Sequence, residues 1–438
     1  MRALIAILPA LLAAMPATAQ TAPPAPPPAA TSAPVADPAT LARVDELVRL
    51  IGGSGTYDSF FGPAFKAAVP KEKWDAAVAQ LTAQVGKTAG LPSFVAASPW
   101  SGTARLKFER GIVSVQLAVD SAPPHAVTGL LFTGVELADD SVEKLATAFR
   151  TLPGGGGFGI YMLGDGAPRL AAGYNADRPA PLGSAFKLWV LGELARAIAA
   201  GERKWANVVP VGTPSLPSGI LQSWPAGTPV TLQTLATLMI SVSDNTATDT
   251  LVTLEGRKLD AFVAKAGTPD LAPMLTTRQM FAIKSPANAD LAATWAKTPP
   301  AERRKLLDAN AARLAGTPVD VTLFASGKPI AIDTLEWFAS PAQTAGMLDW
   351  LRTHGGDTTM AVLAVNPGTD ATTRARFDYV GFKGGSEPGV LTLNYLVRRK
   401  DGRWLAVVGN WHRADAGVDT APFAQLMNRA LILTAGMP

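Results

Sequence analysis

The stretch PLGSAFKLWVLGELARAIAAG, residues 181–201, places Ser184 and Lys187 three residues apart, ahead of an unbroken apolar run. The run is apolar on nearly all sides of a helical wheel, which predicts a helix buried in the centre of a domain. A serine and a lysine at positions i and i+3 of a helix lie on the same face and can touch. Two interpretations follow: a catalytic pair, or the polar start of an ordinary buried helix.

A catalytic interpretation requires a lysine base, because the histidines of the chain stand in no recognisable triad context. They are His125 after a Pro-Pro pair, His354 in RTHGGD and His412 in NWHRAD, and we interpret them as surface or packing residues. At the first turn of a helix, free N–H groups and the helix dipole favour negative charge developing on Ser184. Lys187 is a base only when neutral, so burial and a second nearby cation must lower its pKa.

The spacing alone is weak evidence, because Ser141 and Lys144 in DDSVEKLATAF repeat it. Glu143 makes the start of that segment acidic, which is typical of a solvated helix cap. Ser184, by contrast, follows a strand hairpin and precedes a helix that is apolar nearly all round. A lysine buried beside a serine is harder to explain by structure alone.

The second motif is Ser243-Asp244-Asn245, which ends an apolar helix in LATLMISVSDNTATDTLV, residues 235–252. In a structural interpretation the motif breaks the helix, and Ser243 or Asp244 caps the next one. In a functional interpretation Ser243 relays a proton and Asn245 hydrogen-bonds a substrate amide.

The third motif is Lys383-Gly384-Gly385, which lies at a strand edge in VGFKGGSEPGVLTLNYLV, residues 380–397. Glycines in a strand allow a substrate backbone to approach closely. Lys383 would supply the cation that lowers the pKa of Lys187 and would bind a substrate carboxylate. Taken alone, the motif is better explained as a bulge or a tight turn at a sheet corner.

Strands are predicted at both ends of the segment 151–438, with helices between them. Hairpins are indicated around Gly164-Asp165-Gly166 and around Lys400-Asp401-Gly402, and APFAQLMNRALILTAG closes the segment as a helix. This order predicts one antiparallel sheet, formed by the terminal segments and covered by helices.

The ordered motifs resemble the Ser-x-x-Lys, Ser-Asp-Asn and Lys-(Thr/Ser)-Gly signature of the active-site-serine β-lactamases and penicillin-binding proteins. The serines that begin the first two motifs, Ser184 and Ser243, are 59 residues apart, which is close to the class A β-lactamase pattern. The resemblance covers residues 151–438 and implies an α+β fold, the DD-peptidase/β-lactamase fold with an antiparallel sheet and a helical subdomain.

The resemblance implies two groups of site residues: a catalytic group of Ser184, Lys187 and Ser243, and a substrate-binding group of Asn245, Lys383, Gly385 and Ser386. Ser184 would be the acylated nucleophile, Lys187 its base, and Ser243 the relay of a proton to the leaving nitrogen. Asn245 would hold the acyl side chain, and Lys383 would meet the substrate carboxylate. No cofactor and no metal ion are implied.

The resemblance also implies an oxyanion hole, formed by the N–H groups of Ser184 and Ser386. One residue departs from the family pattern here, since Gly384 stands where the family has Thr or Ser. The exchange removes a hydroxyl from the carboxylate site, and Ser386 could partly compensate.

A second departure concerns the glutamate that class A enzymes carry in an Ω-loop to activate the deacylating water. The corresponding stretch here, APMLTTRQMFAIKSPANADLAATW (272–295), contains no glutamate. Glu255 lies too near the second motif, and Glu302 and Glu336 are interpreted as residues of helical surfaces. The third motif comes 140 residues after the second, which predicts an insertion at 300–335.

The N-terminal sequence predicts export. MRALIAILPALLAAMPATAQ combines a basic start, an apolar core and an Ala17-Thr18-Ala19 pattern, which is typical of a signal peptide spanning 1–19. A Pro/Ala-rich linker is predicted at 20–39. We expect a periplasmic or secreted bacterial protein, with no stable membrane insertion after cleavage of the signal.

Residues 40–150 are predicted to form an accessory module, with helices in LARVDELVRLI and KEKWDAAVAQLTAQVGK followed by strands. Their order resembles the cystatin-like, NTF2-like fold. The linker, this module, the LTTRQMF segment and the missing glutamate together resemble the β-lactamase-like protein of clavulanic acid biosynthetic clusters.

Composition narrows the function classes. The 438-residue chain is 48% hydrophobic and has a net charge of +4, and its longest basic run is VRRK at 397–400, so a nucleic-acid-binding face is excluded. The chain has no cysteine, which excludes disulfides and a thiol nucleophile.

Three functions remain open from the sequence. The first is a serine hydrolase that forms an acyl-enzyme with a β-lactam or a related ester or amide. The second is a penicillin-binding or sensing protein that acylates with little turnover, or an esterase or DD-peptidase-like envelope enzyme with peptidoglycan as a partner. The third is a non-catalytic envelope module, which the four retained motif residues Ser184, Lys187, Ser243 and Lys383 argue against.

Overall fold

The computed structural model describes residues 34–225, 227–318 and 321–437. The predicted signal peptide at 1–19 and most of the predicted linker at 20–39 lie outside these residues. In the described part of the chain, no helix has the length and apolar character needed to cross a membrane.

The first part of the chain is a layer of helices followed by an antiparallel sheet. Its elements are α1 (Pro38–Ile51), α2 (Tyr57–Phe60), α3 (Pro63–Ala68), α4 (Lys71–Val85), β1 (Ser93–Ser98), β2 (Ser101–Phe108), β3 (Gly111–Val119) and β4 (Val127–Leu137). Each strand pairs with the next one along the chain. The predicted helices and strands are confirmed, whereas the sequence pattern did not indicate α2, α3 or β1. The likeness of this module to the NTF2-like fold stays a prediction.

The start and the packing of α1 follow from its sequence. Asp37 caps the helix by accepting a hydrogen bond from the N–H of Ala39, and Pro38 occupies the first turn, where its missing N–H costs nothing. Its apolar face packs against α2 and the strands β2 and β3, in a core to which α4 also contributes. This core includes an aromatic cluster in which Phe61 stacks on Phe65, with ring centroids 4.1 Å apart.

Helix α5 (Val142–Arg150) belongs with the second sheet, although the sequence analysis placed it in the 40–150 module. Leu145 and Phe149 are buried against residues of the later strands and of the C-terminal helix. Phe149 stacks on Phe158 with ring centroids 4.6 Å apart and meets Phe423 edge-on. The prediction failed because the amphipathic pattern shows which face of a helix is buried but not what covers it.

The second part of the chain is built on one antiparallel sheet. The strands in this part of the chain are β5 (Gly155–Leu163), β6 (Arg169–Tyr174), β7 (Ala180–Pro181), β8 (Val208–Pro210), β9 (Pro229–Thr231), β10 (Phe338–Ala339), β11 (Phe377–Glu387), β12 (Val390–Arg399) and β13 (Trp404–His412). The main sheet, here called the central sheet, has the order β11-β12-β13-β5-β6, and two small pairs, β7 with β10 and β8 with β9, stand apart from it. The first and last strands of the segment therefore meet, as the sequence predicts.

Helices fill the remainder of this part. They are α6 (Lys187–Ala199), α7 (Leu232–Ser241), α8 (Asn245–Glu255), α9 (Arg257–Lys265), α10 (Thr277–Lys284), α11 (Ala289–Lys297), α12 (Pro300–Ala309), α13 (Ala311–Gly316), α14 (Pro341–His354), α15 (Gly356–Ala364), α16 (Ala371–Arg374) and α17 (Thr420–Gly436). Helix α17, predicted from the C-terminal sequence, covers the same face of the central sheet as α5.

Helix α6 is buried along nearly its whole length, as the apolar run predicts. It is surrounded by α7, α8, α9 and α14. Gly192 allows these neighbours to approach, because a Cβ there would lie 2.5 Å from Met347 and 2.7 Å from Phe262. The start of α6, which carries the first motif, is therefore held on all sides by packed elements.

The predicted insertion at 300–335 contains α12, α13 and a 3₁₀ turn at Val321–Phe324. Leu307 and Leu314 anchor the two helices in the same core as α6. Phe324 lies edge-on to Phe281 of α10, with ring centroids 5.1 Å apart. The segment thus covers one side of the helical layer.

We predict that Phe149→Ala lowers the free energy of unfolding by about 3–5 kcal/mol, the usual cost of removing a buried aromatic ring. The part of the chain that contains the central sheet should be the part that is destabilised, because the Phe149 ring packs there. Denaturant unfolding of the full chain would measure it, with Leu91→Ala at an exposed position as the control. An unchanged unfolding midpoint for Phe149→Ala would contradict the assignment of α5.

Candidate active site

The three sequence motifs converge on one cleft of about 480 Å³ between the central sheet and the helical layer. Polar residues of the cleft wall are Ser184, Ser218, Ser241, Ser243, Asn245, Asn366, Lys383, Ser386, Glu387 and Thr392. The apolar wall includes the rings of Phe281, Phe324 and Phe382. Residues up to about 200 positions apart in the sequence therefore form a single site.

Ser184 lies on a 3₁₀ turn, Gly183–Phe186, that leads directly into α6. Gly183 has φ of +49°, a left-handed conformation that glycine adopts without strain. In the part of the chain that the structure describes, the Oγ of Ser184 makes no hydrogen bond with another protein group, and it faces the cleft. The hydroxyl is thus available to a ligand, which an ordinary capping serine is not.

The 3₁₀ turn is pressed against strand β11 at two glycines. A Cβ on Gly183 would lie 2.8 Å from the backbone nitrogen of Ser386, and a Cβ on Gly385 would lie 2.6 Å from that of Ser184. The Oγ1 of Thr392 donates to the carbonyl of Leu182 and fixes the turn from the next strand, at 3.0 Å. These contacts bring the backbone segments of Ser184 and Ser386 close together, and an oxyanion hole formed by their amides stays a prediction.

Lys187 is fully buried, and its ammonium nitrogen is enclosed by the second motif. The Nζ atom donates to the carbonyl oxygen of Ser243 at 2.6 Å, to the Oγ of Ser243 at 3.1 Å and to the Oδ1 of Asn245 at 2.8 Å. Burial lowers the pKa of Lys187 well below its usual value, and the positive charge of Lys383 lowers this pKa further. Lys187 therefore meets the condition for a neutral amine that accepts a proton.

Ser243 connects the two lysines of the site. Its Oγ is 3.1 Å from the Nζ of Lys187 and 3.0 Å from the Nζ of Lys383. The residue has φ of +58°, an uncommon conformation for a residue with a side chain. Its carbonyl oxygen also accepts a hydrogen bond from the Oγ of Ser218 at 2.7 Å. Strained backbone of this kind clusters at functional sites.

The middle residue of the motif has the structural role that the sequence allowed. Asp244 caps α8 by accepting a hydrogen bond from the N–H of Ala247, and it also accepts from the N–H groups of Ile220 and Leu221. The structural interpretation of Ser-Asp-Asn is thus confirmed for Asp244, which fixes the loop. Ser243 and Asn245 line the cleft, and their functional roles stay predictions.

The side chain of Asn245 forms hydrogen bonds within the protein that the sequence analysis did not predict. Its Oδ1 accepts from Lys187, and its Nδ2 donates to the carbonyl of Leu216 at 3.0 Å. The side chain lines the cleft but is 3% exposed, so it orients Lys187 in this structure. A contact with a substrate amide stays a prediction.

Lys383 lies on β11 with its ammonium group turned toward Ser243. Besides Ser243, its Nζ donates to the carbonyl of Gly384 at 2.7 Å. Burial lowers the pKa of Lys383 to about 7. Gly384 leaves room for the ring of Phe382, since a Cβ at this position would lie 2.9 Å from it. The residue after it, Gly385, touches the Ser184 turn, and Ser386 is exposed at the cleft.

The sequence analysis was wrong about Glu336 and missed Glu387. Glu336 is buried behind the Ser184 turn, where its Oε2 accepts from the N–H of Gly183 at 3.1 Å, and it is not a helical surface residue. Glu387 lines the cleft and pairs with Lys284 of α10. Glu302, on the first turn of α12, is exposed as expected. Glu387 comes two residues after the third motif, and this proximity was the available signal.

The remaining candidates lie away from the cleft. Ser141 caps α5 by accepting from the N–H of Lys144, as a solvated cap does. His125 stacks on Trp100 and His354 on Trp350. The described residues contain no group of three His, Cys, Asp or Glu side chains that could hold a metal ion.

Comparison with known proteins agrees with the geometry. The family model described as "Beta-lactamase enzyme family" matches residues 140–314, a range that includes Ser184, Lys187 and Ser243. The chain contains a serine β-lactamase-like catalytic domain. Lys383 lies beyond the matched range, and the fold brings it to Ser243. The antiparallel sheet flanked by helices, which the sequence predicts for this domain, is confirmed.

Similar solved structures include a β-lactamase from Sphaerobacter thermophilus, at 21% identity and a TM-score of 0.46, with 68% of this chain and 98% of that chain covered. A β-lactamase from Chitinophaga pinensis has 17% identity and a TM-score of 0.46, with coverage of 67% and 98%. The protein PBP-A has 14% identity and a TM-score of 0.44, with coverage of 67% and 95%. No curated protein sequence matches the chain significantly.

We predict that Gly385→Ala displaces the 3₁₀ turn from β11. The added Cβ would lie 2.1 Å from the carbonyl oxygen of Leu182, and backbone atoms cannot rotate away as a side chain can. The expected cost is about 1–3 kcal/mol of unfolding free energy. Denaturant unfolding would measure it, with Gly164→Ala, where a Cβ meets open space, as the matched control. Equal stability of the two variants would contradict the tight contact.

Proposed function

We propose that this protein is a serine hydrolase that forms an acyl-enzyme at Ser184 and hydrolyses β-lactam amides or related esters and amides. The observation that supports the proposal most directly is the burial of Lys187 beside Ser243 and Lys383, in a cleft where the Ser184 hydroxyl is unpartnered. Lys187, with its lowered pKa, comes three residues after the unpartnered Ser184. A nearby base of this kind can activate a serine as a nucleophile.

In the first step, neutral Lys187 accepts the proton of Ser184 as the Oγ attacks the substrate carbonyl carbon. Negative charge develops on the carbonyl oxygen, and the adjoining amides of Ser184 and Ser386 would stabilise it. Loss of one such donor typically slows the reaction by on the order of a hundredfold or more. The close contact of the 3₁₀ turn with β11, at Gly183 and Gly385, keeps these amides in place.

Ser243 would return a proton to the leaving nitrogen. Its Oγ contacts both ammonium groups, so a proton can pass from Lys187 through this hydroxyl without a change in the surrounding structure. Expulsion of the amine then leaves the acyl group on Ser184. The left-handed backbone of Ser243 serves this step, because it directs the carbonyl and the hydroxyl toward the same lysine.

Lys383 would bind the carboxylate that β-lactams carry beside the scissile amide. Its ammonium group faces the cleft wall without a carboxylate partner among the described residues. Gly384 supplies no hydroxyl to this subsite, so recognition relies on Lys383 and on exposed Ser386. The rings of Phe281, Phe324 and Phe382 favour an apolar substituent on the substrate.

A second candidate function is a penicillin-binding protein that acylates with little turnover. The absence of glutamate from residues 272–295 favours it, because hydrolysis of an acyl-enzyme needs a base for the attacking water. In this case peptidoglycan would be the natural partner. Both candidates agree with the export that the N-terminal sequence suggests, and we propose a periplasmic or secreted location.

We predict that the wild-type protein gains the mass of an added penicillin or cephalosporin and that Ser184→Ala gains none. The variant lacks the only oxygen that the proposal allows to be acylated. Intact mass spectrometry over a time course would measure the adduct, with Ser141→Ala as the matched control because Ser141 has the same spacing to a lysine. Decay of the adduct distinguishes a hydrolase from a penicillin-binding protein. No adduct and no consumption of either drug would refute the β-lactam assignment.

We predict a bell-shaped dependence of the acylation rate on pH. The rate rises as Lys187 loses its proton and falls as Lys383, with a pKa of about 7, loses the charge that attracts the carboxylate. In Lys383→Gln the rising limb should move to higher pH, because a positive charge that lowers the pKa of Lys187 is gone. The maximal rate should drop about 10- to 100-fold, the usual value of one hydrogen bond to a charged group.

Stopped-flow or quenched mass measurements from pH 5 to 9 would test this dependence. Lys144→Gln is the matched control, because that lysine is exposed on α5 and far from the cleft. A rising limb at the same pH in wild type and in Lys383→Gln would show that the two ammonium groups do not interact.

A further inference from the structure

Three charged side chains lie buried next to the Ser184 turn and take no part in the steps above. The Nζ of Lys284 is 2.5 Å from the Oε1 of Glu387 and 3.5 Å from the Oε1 of Glu336. None of the three side chains is more than 7% exposed. We call Lys284, Glu336 and Glu387 the Glu387 cluster.

The Glu387 cluster contacts the 3₁₀ turn that carries Ser184. The Oε2 of Glu336 accepts hydrogen bonds from the N–H of Gly183 and the N–H of Trp337, each at 3.1 Å. Gly183 immediately precedes Ser184. The cluster is therefore joined by one hydrogen bond to the turn that carries the reactive hydroxyl.

Glu387 is the member of the cluster that lines the cleft. It is two residues after Gly385 on β11, and residues two apart in a strand project from the same face. The face of Gly385 is the one that meets Ser184, since a Cβ there would lie 2.6 Å from the Ser184 nitrogen. The Glu387 side chain therefore leaves the strand toward the nucleophile turn.

A purely structural role explains only part of the cluster. One lysine bonded to one carboxylate would join α10 to β11, and the second carboxylate adds a like charge in a place from which water is largely excluded. Burying charge without full compensation is costly. Such an arrangement is typical of functional sites, where it shifts the pKa of a side chain to suit a proton transfer.

The charged groups that face Glu387 have opposite effects on its protonation. Burial and the carboxylate of Glu336 raise the pKa of Glu387 to about 8, while Lys284 opposes the rise. A carboxyl group with this pKa is partly ionised near neutral pH, and a base is most effective when its pKa lies near the working pH.

We propose that Glu387 is the catalytic base that activates the water for hydrolysis of the acyl group on Ser184. This inference rests on the proposed function, since it requires an acyl-enzyme. Glu387, on strand β11, would supply the carboxylate that residues 272–295 lack. Lys284 and Glu336 are positioning residues, because they fix the Glu387 carboxylate and do not line the reaction space.

The step conserves atoms and charge. The ionised carboxylate of Glu387 takes one proton from a water molecule, whose oxygen attacks the acyl carbonyl carbon. The bond from that carbon to the Oγ of Ser184 then breaks, and the proton held by Glu387 returns to Oγ. One ester and one water thus give one carboxylic acid and free Ser184, with Glu387 restored.

The test follows the decay of the adduct formed with a penicillin in the full-length protein, after excess drug is removed by gel filtration. Glu387→Gln should form the adduct and lose it at least about a hundredfold more slowly than wild type, the lower range for a general base. Glu302→Gln, an exposed glutamate of α12, is the matched control and should decay like wild type.

A pH series separates catalysis from structure. The wild-type decay rate should rise with pH up to about 8, as Glu387 ionises. In Glu336→Gln the rise should move to lower pH, because the carboxylate that raises the pKa of Glu387 is gone. A merely structural cluster would change the stability of these variants but not the pH at which the decay rate rises.

The outcomes separate the two proposals. Failure of the wild type to form an adduct would refute the proposed function itself. An adduct that decays equally in wild type and Glu387→Gln would refute the role of Glu387 and leave the acyl-enzyme standing. Should Glu387→Gln fail to fold, the pH series of Glu336→Gln decides: a downward shift supports the inference, and no shift overturns it.

Discussion

The ammonium group of Lys187 is buried, and the site is organised around this constraint. A charged amine cannot remain in such surroundings without compensation, so the protein surrounds it with the carbonyl and hydroxyl of Ser243 and the amide oxygen of Asn245. These acceptors hold the nitrogen in place in either protonation state. Burial and the nearby Lys383 then favour the neutral form, which is the form that can take a proton from Ser184.

The backbone around Lys187 is shaped to satisfy that constraint. Ser243 adopts a left-handed conformation that costs on the order of 1–3 kcal/mol, and the surrounding packing must offset it. Gly183 and Gly385 allow the Ser184 turn and β11 to touch, which no side chain would permit. The rigid contacts of α6 with α8, α9 and α14 supply the stability that keeps this geometry fixed.

Charged side chains at and behind the cleft wall are arranged as two groups. Two lysines share the hydroxyl of Ser243 on one side, and two carboxylates share Lys284 on the other. In each group a like charge shifts the pKa of one member: Lys383 lowers the pKa of Lys187, and Glu336 raises the pKa of Glu387. One group suits removal of a proton from a serine, and the other suits removal of a proton from water. Both depend on β11, which carries Lys383 and Glu387.

The sequence by itself determined the three motifs, the buried helix α6, the hairpins and the meeting of terminal strands in one sheet, because apolar periodicity and turn residues are local properties. It also separated Ser184 from Ser141 by the character of the following helix. Only the tertiary structure decided that α5 packs on the central sheet, that Asn245 orients Lys187, and that Glu336 and Glu387 meet Lys284 beside the Ser184 turn. These facts depend on contacts between residues that lie from about fifty to more than two hundred and fifty positions apart. No local pattern records which distant surface will cover a side chain or which charge will face it.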